Sequence, residues 1–508
     1  MKRILYSFIL IWGTSCSDFL EPQSQTEYVP RDINSLNELL LGNAYLDPNN
    51  SSTSNFSLHE IFSDDWSVTS RNGNNTSNLT EYTMYKPFYS WHPQMFKLAL
   101  DNNASYWNIW KDLYQKILGC NAVLDYVEAV NGSYEDKNYV KGQALALRAF
   151  YYFQLVNFFG EPYFHNKKAL AVPLKLNSNL ELDYPTRSTV EEVYNQIDKD
   201  LLEAEESFSV LPLTKQFYKD GRVTLPMIQL IKARVALFKE DYASVVKYSK
   251  KVIEEWGLRL LDLNSIAIPA ATTYQYYNFV HNDNPEALWL FGNPTDFQRY
   301  ANILIRTSSA SSSTVRMFNA SSSLLNSYET NDLRRSHYVV REASTTNPKP
   351  DFWIPSGKIN IAPSSLLTAS GVFGRALRLS EAYVMLAEGL YFTGKSNEAV
   401  KVLEELRLKR YKTSAQNEYI VPVQNTSGAD LLSFIREERR REMCFEGLRW
   451  FDQRRYGMES FSRIWKEEGE EIVFVMEKND PAFTLPIPYD AIEKNPNLIQ
   501  NTLSKPKY

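Results

Sequence analysis

The sequence lacks the features that mark several large classes of protein. Its 508 residues include three cysteines, with no CxxC pair and no even-numbered set, which excludes a disulfide-stapled fold. The five histidines show no HExxH motif and no other close pairing, so a zinc site is not expected. GxSxG, Walker and GxGxxG motifs are also missing, and with them the commonest hydrolase and nucleotide-binding sites. No catalytic motif is recognisable.

The chain also lacks an excess of charge of one sign. It carries 55 Lys and Arg against 60 Asp and Glu, for a formal net charge of −5, and its basic residues are dispersed. Nucleic-acid binding, which needs a clustered basic face, is therefore not expected. Hydrophobic residues make up 44% and aromatic residues 14%, which is enough for a large core. A surplus of flat rings is also typical of proteins that bind carbohydrate.

The N-terminus is similar to a bacterial lipoprotein leader. Lys2 and Arg3 precede an apolar run of about nine residues, far shorter than the ~20 that span a bilayer. Small residues at 13–15 then lead to Cys16. We expect a signal peptide over 1–15, acylation of Cys16 and anchoring to a membrane, followed by an acidic tether; an ordinary secretory peptide cleaved nearby is the alternative.

Helical periodicity dominates the regions before residue 257 and after residue 370. It predicts helices over Tyr106–Val130, Lys141–Phe159, Thr189–Phe208 and Tyr242–Trp256, and one that opens at Thr224-Leu225-Pro226 with Thr as N-cap and Pro in the first turn. The phrases at 233–243 and 387–406 have the small-residue spacing of tetratricopeptide repeats. Such repeats stack into a curved solenoid.

Two stretches, Asp47–Pro93 and Gly257–Gly371, lack this periodicity but are rich in aromatic residues, which favours ordered, functional loops over disorder. We therefore expect residues 22–508 to form one composite domain. Its predicted parts are an N-terminal part with tether, loops and helices (16–256), a loop-rich insertion that forms the ligand face (257–370), C-terminal repeat-like helices (371–456) and a C-terminal tail (457–508).

Three segments, taken in order, resemble the SusD/RagB family of outer-membrane nutrient-binding lipoproteins. They are Lys141–Pro162 (KGQALALRAFYYFQLVNFFGEP), Ile435–Asp452 (IREERRREMCFEGLRWFD) and the ending from Leu485 to Asn501. The resemblance implies a mainly α fold, in which an irregular tetratricopeptide-repeat scaffold (an α-α superhelix) carries long irregular loop insertions that hold the ligand. It also implies a TonB-dependent, SusC-like transporter as partner at the cell surface, and a glycan or, in one branch, a peptide as ligand.

The charged run in the second segment is typical of structural ion pairs rather than of chemistry. Helical spacing predicts the pairs Glu437–Arg441, Glu446–Arg449 and Asp452–Arg455. Arg148, in an apolar helix, is expected to pair with one of these acids. Cys120 and Cys444 lie in apolar helical settings and are expected to be buried free thiols.

Ligand-binding candidates come from the two irregular stretches. The pair Asp64-Asp65 could accept sugar hydroxyls, form half of a glycosidase couple, bind Ca²⁺, or consist of two solvated loop carboxylates. Aromatic residues in polar surroundings could stack on the apolar face of a sugar, although any single ring could instead be a core contact. The candidate rings are Trp66, Trp91, Tyr276, Tyr277 and Trp353.

The sequence thus favours a non-catalytic glycan-binding component of an importer, without a cofactor and without nucleic acid as partner. Three other interpretations stay open at this point. The chain could bind peptides or glycopeptides, act as a surface glycosidase through Asp64 or Asp65, or serve as a purely structural lid.

Overall fold

The computed structural model describes residues 30–46, 58–70, 79–102, 108–180, 183–268, 277, 279–294, 304–306, 314–341, 353–354, 358, 371–418 and 426–508. Every statement below about the fold refers to these residues. Cys16 and Tyr276 lie outside them, as does much of the two irregular stretches.

The described part is mainly α, as the sequence predicts. Its α-helices are α1 (Ile33–Asn43), α2 (Leu58–Ile61), α3 (Leu79–Tyr89), α4 (Met95–Asp101), α5 (Ile109–Tyr126), α6 (Tyr134–Phe159), α7 (Tyr163–Asn166), α8 (Val190–Ser209), α9 (Leu213–Gln216), α10 (Leu225–Phe238), α11 (Tyr242–Glu254), α12 (Ser322–Ser327), α13 (Arg334–His337), α14 (Leu379–Phe392), α15 (Ser396–Leu408), α16 (Gly428–Met443), α17 (Arg449–Arg455) and α18 (Tyr489–Lys494). Within these ranges no helix is both long and apolar enough to cross a bilayer.

The strands form short antiparallel pairs rather than one sheet. They are β1 (Trp66–Val68), β2 (Ala287–Phe291), β3 (Leu304–Arg306), β4 (Thr314–Arg316), β5 (Phe318–Ala320), β6 (Val340–Arg341), β7 (Trp353–Ile354), β8 (Arg375–Arg378), β9 (Phe461–Glu467) and β10 (Glu470–Met476). The pairs are β1–β5, β2–β8, β3–β4, β6–β7 and β9–β10. The long ribbon β9–β10 is a hairpin, whereas β1–β5 joins the two irregular stretches of the sequence.

The long helices pack in sequence order. Helix α5 packs against α1 and α6, α6 against α8, α8 against α10, α10 against α11, and α11 against α14, which in turn contacts α15 and α16. The two repeat-like phrases, far apart in sequence, therefore lie in the neighbouring helix pairs α10–α11 and α14–α15. A methyl group at Gly389 would come within 2.9 Å of Val245, so this glycine permits the close contact of α14 with α11. The array is the irregular repeat scaffold that the sequence predicts.

The helix ends explain where the predicted boundaries hold and where they shift. Thr224 caps α10 by accepting from the Met227 N–H at 3.2 Å, as predicted, and Thr189 forms a capping box with Glu192 at the start of α8. Helix α6 begins earlier than its apolar stripe, at Tyr134, because the Ser133 hydroxyl accepts from the Asp136 N–H at 3.0 Å. The predicted Tyr106–Val130 helix ends at Tyr126.

Buried charges hold the scaffold together. Arg148 forms a two-pronged pair with Asp200 of α8, through Nε–Oδ2 at 2.8 Å and Nη2–Oδ1 at 2.7 Å, and not with an acid of the 437–452 run. The role predicted for Arg148 as a buried ion-pair partner is thus confirmed, but the predicted partner is wrong. Cys120 and Cys444 are buried free thiols, and burial raises the pKa of each to about 12.

The predicted ion pairs near α16 are only partly correct. Asp452 accepts from Arg455 at 2.8 Å, as expected. Arg441, however, pairs with Glu438 at 2.7 Å and not with Glu437. Glu446 and Arg449 bind other residues, because α16 ends at Met443 and the chain turns through Phe445 (φ 58°) and Gly447 (φ 79°). The helical spacing on which the 446–449 pair depended is therefore absent.

Glu442 of α16 lies at the centre of a network that joins the insertion to the C-terminal helices. Arg410 donates to its two oxygens at 2.8 and 3.0 Å, the Tyr338 hydroxyl donates at 3.0 Å, and Arg334 and Arg378 lie within 3.4 Å. All of these side chains are buried. The wider network also contains Glu286, Asp332, Lys358, Arg407, Glu438 and Glu446. The insertion and the helices hence share one core.

Candidate ligand-binding cleft

A cleft of about 740 Å³ opens between the β1–β5 ribbon and strand β9. Its volume lies within the range of ligand sites, roughly 300–1,000 Å³. In the ribbon, Trp66 pairs with Ala320 and Val68 with Phe318. The Tyr89 hydroxyl lies 3.3 Å from the Trp66 carbonyl and 3.1 Å from the Ile464 carbonyl. Strands β1 and β9 are not paired by main-chain hydrogen bonds. The Tyr89 hydroxyl instead connects the two strands at the base of the cleft.

Short hydroxyl and amide side chains dominate the lining of the cleft. They are Ser67, Thr69, Ser70, Asn319, Ser321, Ser322, Ser323 and Ser462. The Asn319 amide donates to the Thr69 hydroxyl at 2.6 Å, whereas its buried Oδ1 accepts no hydrogen bond among the described residues. Some of these hydroxyls also bond within the protein: Ser321 accepts from the Leu324 N–H at 3.2 Å and Ser323 from Arg440 at 3.2 Å. Because a hydroxyl both donates and accepts, the lining can still pair with the hydroxyl groups of a ligand.

The two cations that line the cleft already have partners. Arg463 donates to the main-chain carbonyls of Ile61 and Ser63 at 2.6 and 2.7 Å, and also to that of Tyr89. Lys466 pairs with Glu471 of the same hairpin at 2.9 Å. Arg463 is buried, so of these two only Lys466 presents charge to solvent. The cleft is consequently polar without being strongly basic.

Asp64 is the one carboxylate among the described lining residues, and it is fixed by arginine. Arg449 donates to Asp64 through Nε at 2.7 Å and Nη2 at 2.8 Å, and Arg440 Nη2 lies 3.3 Å from Oδ2. Burial works to raise the pKa of Asp64, but the Arg449 guanidinium, together with Arg440 and a backbone hydrogen bond, outweighs it and lowers this pKa to about 2. Asp64 is thus ionised near neutral pH, with 15% of its side chain exposed.

Asp65 points away from the cleft. Its carboxylate is fully buried and accepts from Arg440 Nε at 2.9 Å, and burial raises its pKa. The interpretation of Asp64-Asp65 as two solvated loop carboxylates is therefore wrong, because both belong to buried ion pairs. Within the described ranges no three His, Cys, Asp or Glu side chains form a set that could ligate a metal.

Trp66 and Trp91 lie in the core. Trp66 lines the floor of the cleft but is 1% exposed, with its ring edge-on to Phe445 at 4.8 Å. Trp91 is also 1% exposed; it donates to the Phe62 carbonyl at 3.0 Å and lies 4.0 Å from the Arg463 guanidinium. Neither ring has an exposed face on which a sugar could stack, so both are core contacts. A stacking role for either remains a prediction that this burial disfavours.

Tyr277 and Trp353 do not line this cleft. Tyr277 is half-buried against Phe279 at 4.9 Å, and burial raises its pKa to about 12. Trp353, also half-buried, is covered by the Arg335 guanidinium at 4.7 Å. Tyr276 lies outside the described residues. The structure thus places Asp64 and Trp66 in the lining, and the roles predicted for the remaining rings stay predictions.

Sequence reasoning missed most of the cleft-lining residues. Asn319 and the serines at 321–323 form the polar run NASSS, which carries a weak signal for a binding loop. Arg463 and Lys466 belong to β9, in a segment predicted only as a tail. No local pattern pairs residues 64–70 with 319–325, because that pairing arises from the long-range β1–β5 ribbon. Two smaller clefts, of about 440 and 430 Å³, lie elsewhere.

Comparisons with known proteins agree with this architecture. A SusD-like family model described as "Starch-binding associating with outer membrane" matches residues 18–219, and a model described as "SusD family" matches residues 369–508. Together they cover about two thirds of the chain. No curated protein sequence matches it.

Several solved structures have the same fold. A SusD superfamily protein from Bacteroides thetaiotaomicron is 20% identical, with a TM-score of 0.68 over 93% of this chain and 100% of that one. A SusD-like carbohydrate binding protein from Bacteroides vulgatus is 19% identical, with a TM-score of 0.64 over 92% and 98%. A laminarin binding SusD-like protein is 18% identical, with a TM-score of 0.62 over 93% and 99%. At these identities the likeness establishes the fold.

Proposed function

Because the chain belongs to the SusD family, we propose that it is a surface-exposed, non-catalytic lipoprotein of the outer membrane that binds a glycan and delivers it to a TonB-dependent, SusC-like transporter. The binding site in this proposal is the cleft between the β1–β5 ribbon and β9. Acylation of Cys16, directly after the leader, supplies the lipid anchor.

The observation that carries the proposal is the chemistry of the cleft lining. A glycan presents many hydroxyl groups, each of which both donates and accepts hydrogen bonds. Eight hydroxyl or amide side chains and one ionised carboxylate, Asp64, line the cleft, so donors and acceptors of both kinds are available. Loops and ribbons mounted on a rigid scaffold are where binding residues usually lie. A family model described as starch-binding, and relatives described as binding carbohydrate or laminarin, support the same class of ligand.

The same geometry disfavours glycoside hydrolysis. A glycosidase needs one protonated carboxyl as general acid and a second carboxylate about 5–10 Å away across the scissile bond. Asp64, with a pKa of about 2, cannot serve as the acid near neutral pH. Asp65 is buried against Arg440 and has no exposed surface. We therefore assign the cleft to binding.

The proposal is tested with the soluble mature protein, beginning after Cys16, on an array of neutral glycans, anionic glycans and peptides that includes laminarin and starch oligosaccharides. Binding of at least one glycan supports it. Binding of peptides alone, or of nothing, contradicts it and favours the peptide-binding or purely structural interpretations.

The position of the site is tested with Ser322→Trp. Ser322 is exposed on the rim of the cleft, so an indole there should fill the cleft and weaken glycan binding by at least about tenfold, the equivalent of ~1.4 kcal/mol. Ser427→Trp is the matched control, since Ser427 is an exposed serine in front of α16 that does not line this cleft. If both variants weaken glycan binding equally, or if neither variant weakens it, the site lies elsewhere.

A further inference from the structure

The ion pair between Asp64 and Arg449 occupies an unusual position, because it joins the scaffold to the lining of the cleft. Arg449 begins α17, in the segment that carries the family resemblance, whereas Asp64 stands just before β1. Most other ion pairs of α16 and α17 are closed off in the core, but 15% of the Asp64 side chain is exposed and faces the cleft. This pair therefore sets the charge and orientation of a group that a ligand can reach.

The hydrogen bonds of Asp64 leave room for a ligand. A carboxylate offers about four acceptor positions over its two oxygens. Arg449 occupies one position on each oxygen, with bonds of 2.7 and 2.8 Å, and Arg440 lies 3.3 Å from Oδ2. Among the described residues no other side chain donates to Oδ1. The two-pronged contact also fixes the plane of the carboxylate, so that its orientation is set before a ligand arrives.

The charge of this acceptor bears on how it binds a hydroxyl group. Of the described lining residues, Asp64 is the only anion. A charged acceptor forms stronger hydrogen bonds with hydroxyl groups than a neutral one does. Arg449, Arg440 and the buried Arg463 lie around it, so the carboxylate does not by itself make the cleft negative.

We infer that Arg449 is a positioning residue, which holds the Asp64 carboxylate in place as an oriented acceptor for the hydroxyl groups of a glycan in this cleft. This inference rests on the proposed function. Arg449 acts through Asp64 and does not itself need to touch the ligand.

The pH dependence of binding distinguishes positioning from a merely structural role. The charged groups around Asp64 are Arg449, Arg440, Asp65 and, at longer range, Arg463. With Arg449 present, the pKa of Asp64 is about 2, so wild-type affinity should not change between pH 7.5 and pH 4.5. In Arg449→Gln the largest opposing cause is lost and burial raises this pKa, so affinity should fall as Asp64 becomes protonated at the lower pH, by at most the roughly tenfold loss expected for Asp64→Asn.

The experiment measures calorimetric affinity for the best-bound array glycan at both pH values. Arg449→Lys retains the charge and should retain the flat pH profile, with affinity between those of wild type and Arg449→Gln. Asp64→Asn removes the charge with little change of shape, and should weaken binding by about tenfold at both pH values. Asp101→Asn is the control, because Asp101 is an exposed partner of Lys97 on α4. Thermal melting checks that each variant is folded, and Asp64→Asn serves as the test if Arg449→Gln does not fold.

Glycan binding on the array, a loss of affinity in Asp64→Asn and a pH-dependent affinity in Arg449→Gln support the inference. Wild-type affinity in a folded Asp64→Asn, or a flat pH profile in a folded Arg449→Gln, overturns it while leaving the proposed function intact. A glycan array without any binding instead refutes the proposed function, and the inference with it.

Discussion

Removal of one charge from the network around Glu442 should destabilise the whole molecule. In Glu442→Gln the side chain keeps its shape but loses its charge, while Arg410, Arg378 and Arg334 stay buried around it. Burial alone would raise the pKa of Glu442, but these guanidinium groups hold it well below its usual range. Glu442 is therefore ionised at neutral pH, and the substitution leaves positive charge without compensation.

The expected magnitude follows from the cost of breaking a buried ion pair. Loss of one partner costs ~3–5 kcal/mol, because the other charge remains buried and unpaired. We expect about 4 kcal/mol for Glu442→Gln, since its main partner Arg410 keeps a second carboxylate, Glu286, at 2.7 Å. With an unfolding entropy of ~2.1 cal/mol/K per residue, a cooperative unit of this length should lose roughly 4 °C in Tm.

The assay is scanning calorimetry combined with urea denaturation of the soluble mature protein. Glu437→Gln is the matched control, because Glu437 lies on the same helix but makes no ion pair among the described residues. It should change Tm by less than about 1 °C, as surface substitutions usually do. Equal Tm values for the two variants would refute the reasoning that buried charges hold the insertion to the helices.

Three further predictions concern the anchor, the chemistry and the pH dependence of stability. Radiolabelled palmitate should enter the wild-type protein but not Cys16→Ser; equal labelling of both would refute the lipoprotein assignment. The purified protein should release no reducing ends from any glycan that it binds, and release abolished by Asp65→Asn would refute a binding-only role. Burial raises the pKa of Glu60 from 4.5 to about 7. A raised carboxyl pKa stabilises the fold at low pH and loses that contribution as pH rises, so the contribution of Glu60 to the free energy of unfolding, measured as the difference between wild type and Glu60→Gln, should fall by ~3 kcal/mol between pH 4.5 and pH 7.5. Glu60→Gln should remove this fall, and an unchanged pH profile would contradict the assignment.

The helical scaffold was predictable because its signals are local. The apolar stripe of α6, the cap at Thr224 and the repeat-like phrases are each contained within about 25 residues, the range over which helical periodicity acts. The contact of α11 with α14 was not itself predicted, but it agrees with the expectation that the repeats stack into a solenoid. The loops contain more regular structure than their composition indicates. Asp47–Pro93, for example, includes α3 and β1.

The ion pairs show where local reasoning ends. Helical spacing correctly paired Asp452 with Arg455, which lie within one helix. It failed for Arg449, whose partner Asp64 lies far away in sequence. The partner expected for Arg148 was also wrong, because Asp200 lies on the neighbouring helix α8. The carboxylate that pairs with an arginine is determined by the distance between the two groups and by their burial in the folded chain. Neither the distance nor the burial can be read from the neighbouring sequence.

The same limit explains the placement of the predicted aromatic residues. A tryptophan in polar sequence surroundings looks available to a sugar, but Trp66 and Trp91 are 1% exposed because the β1–β5 ribbon and the β9–β10 hairpin close over them. These rings instead form the base on which the cleft is built. The ring of Trp66, the first residue of β1, packs against Phe445. Phe445 belongs to the turn between α16 and α17, and α17 begins with Arg449. The turn that ends α16 thus supports the floor of the cleft through Phe445 and leads into the helix that fixes Asp64. The segment that carries the family resemblance therefore shapes the candidate site without supplying any of its described lining residues.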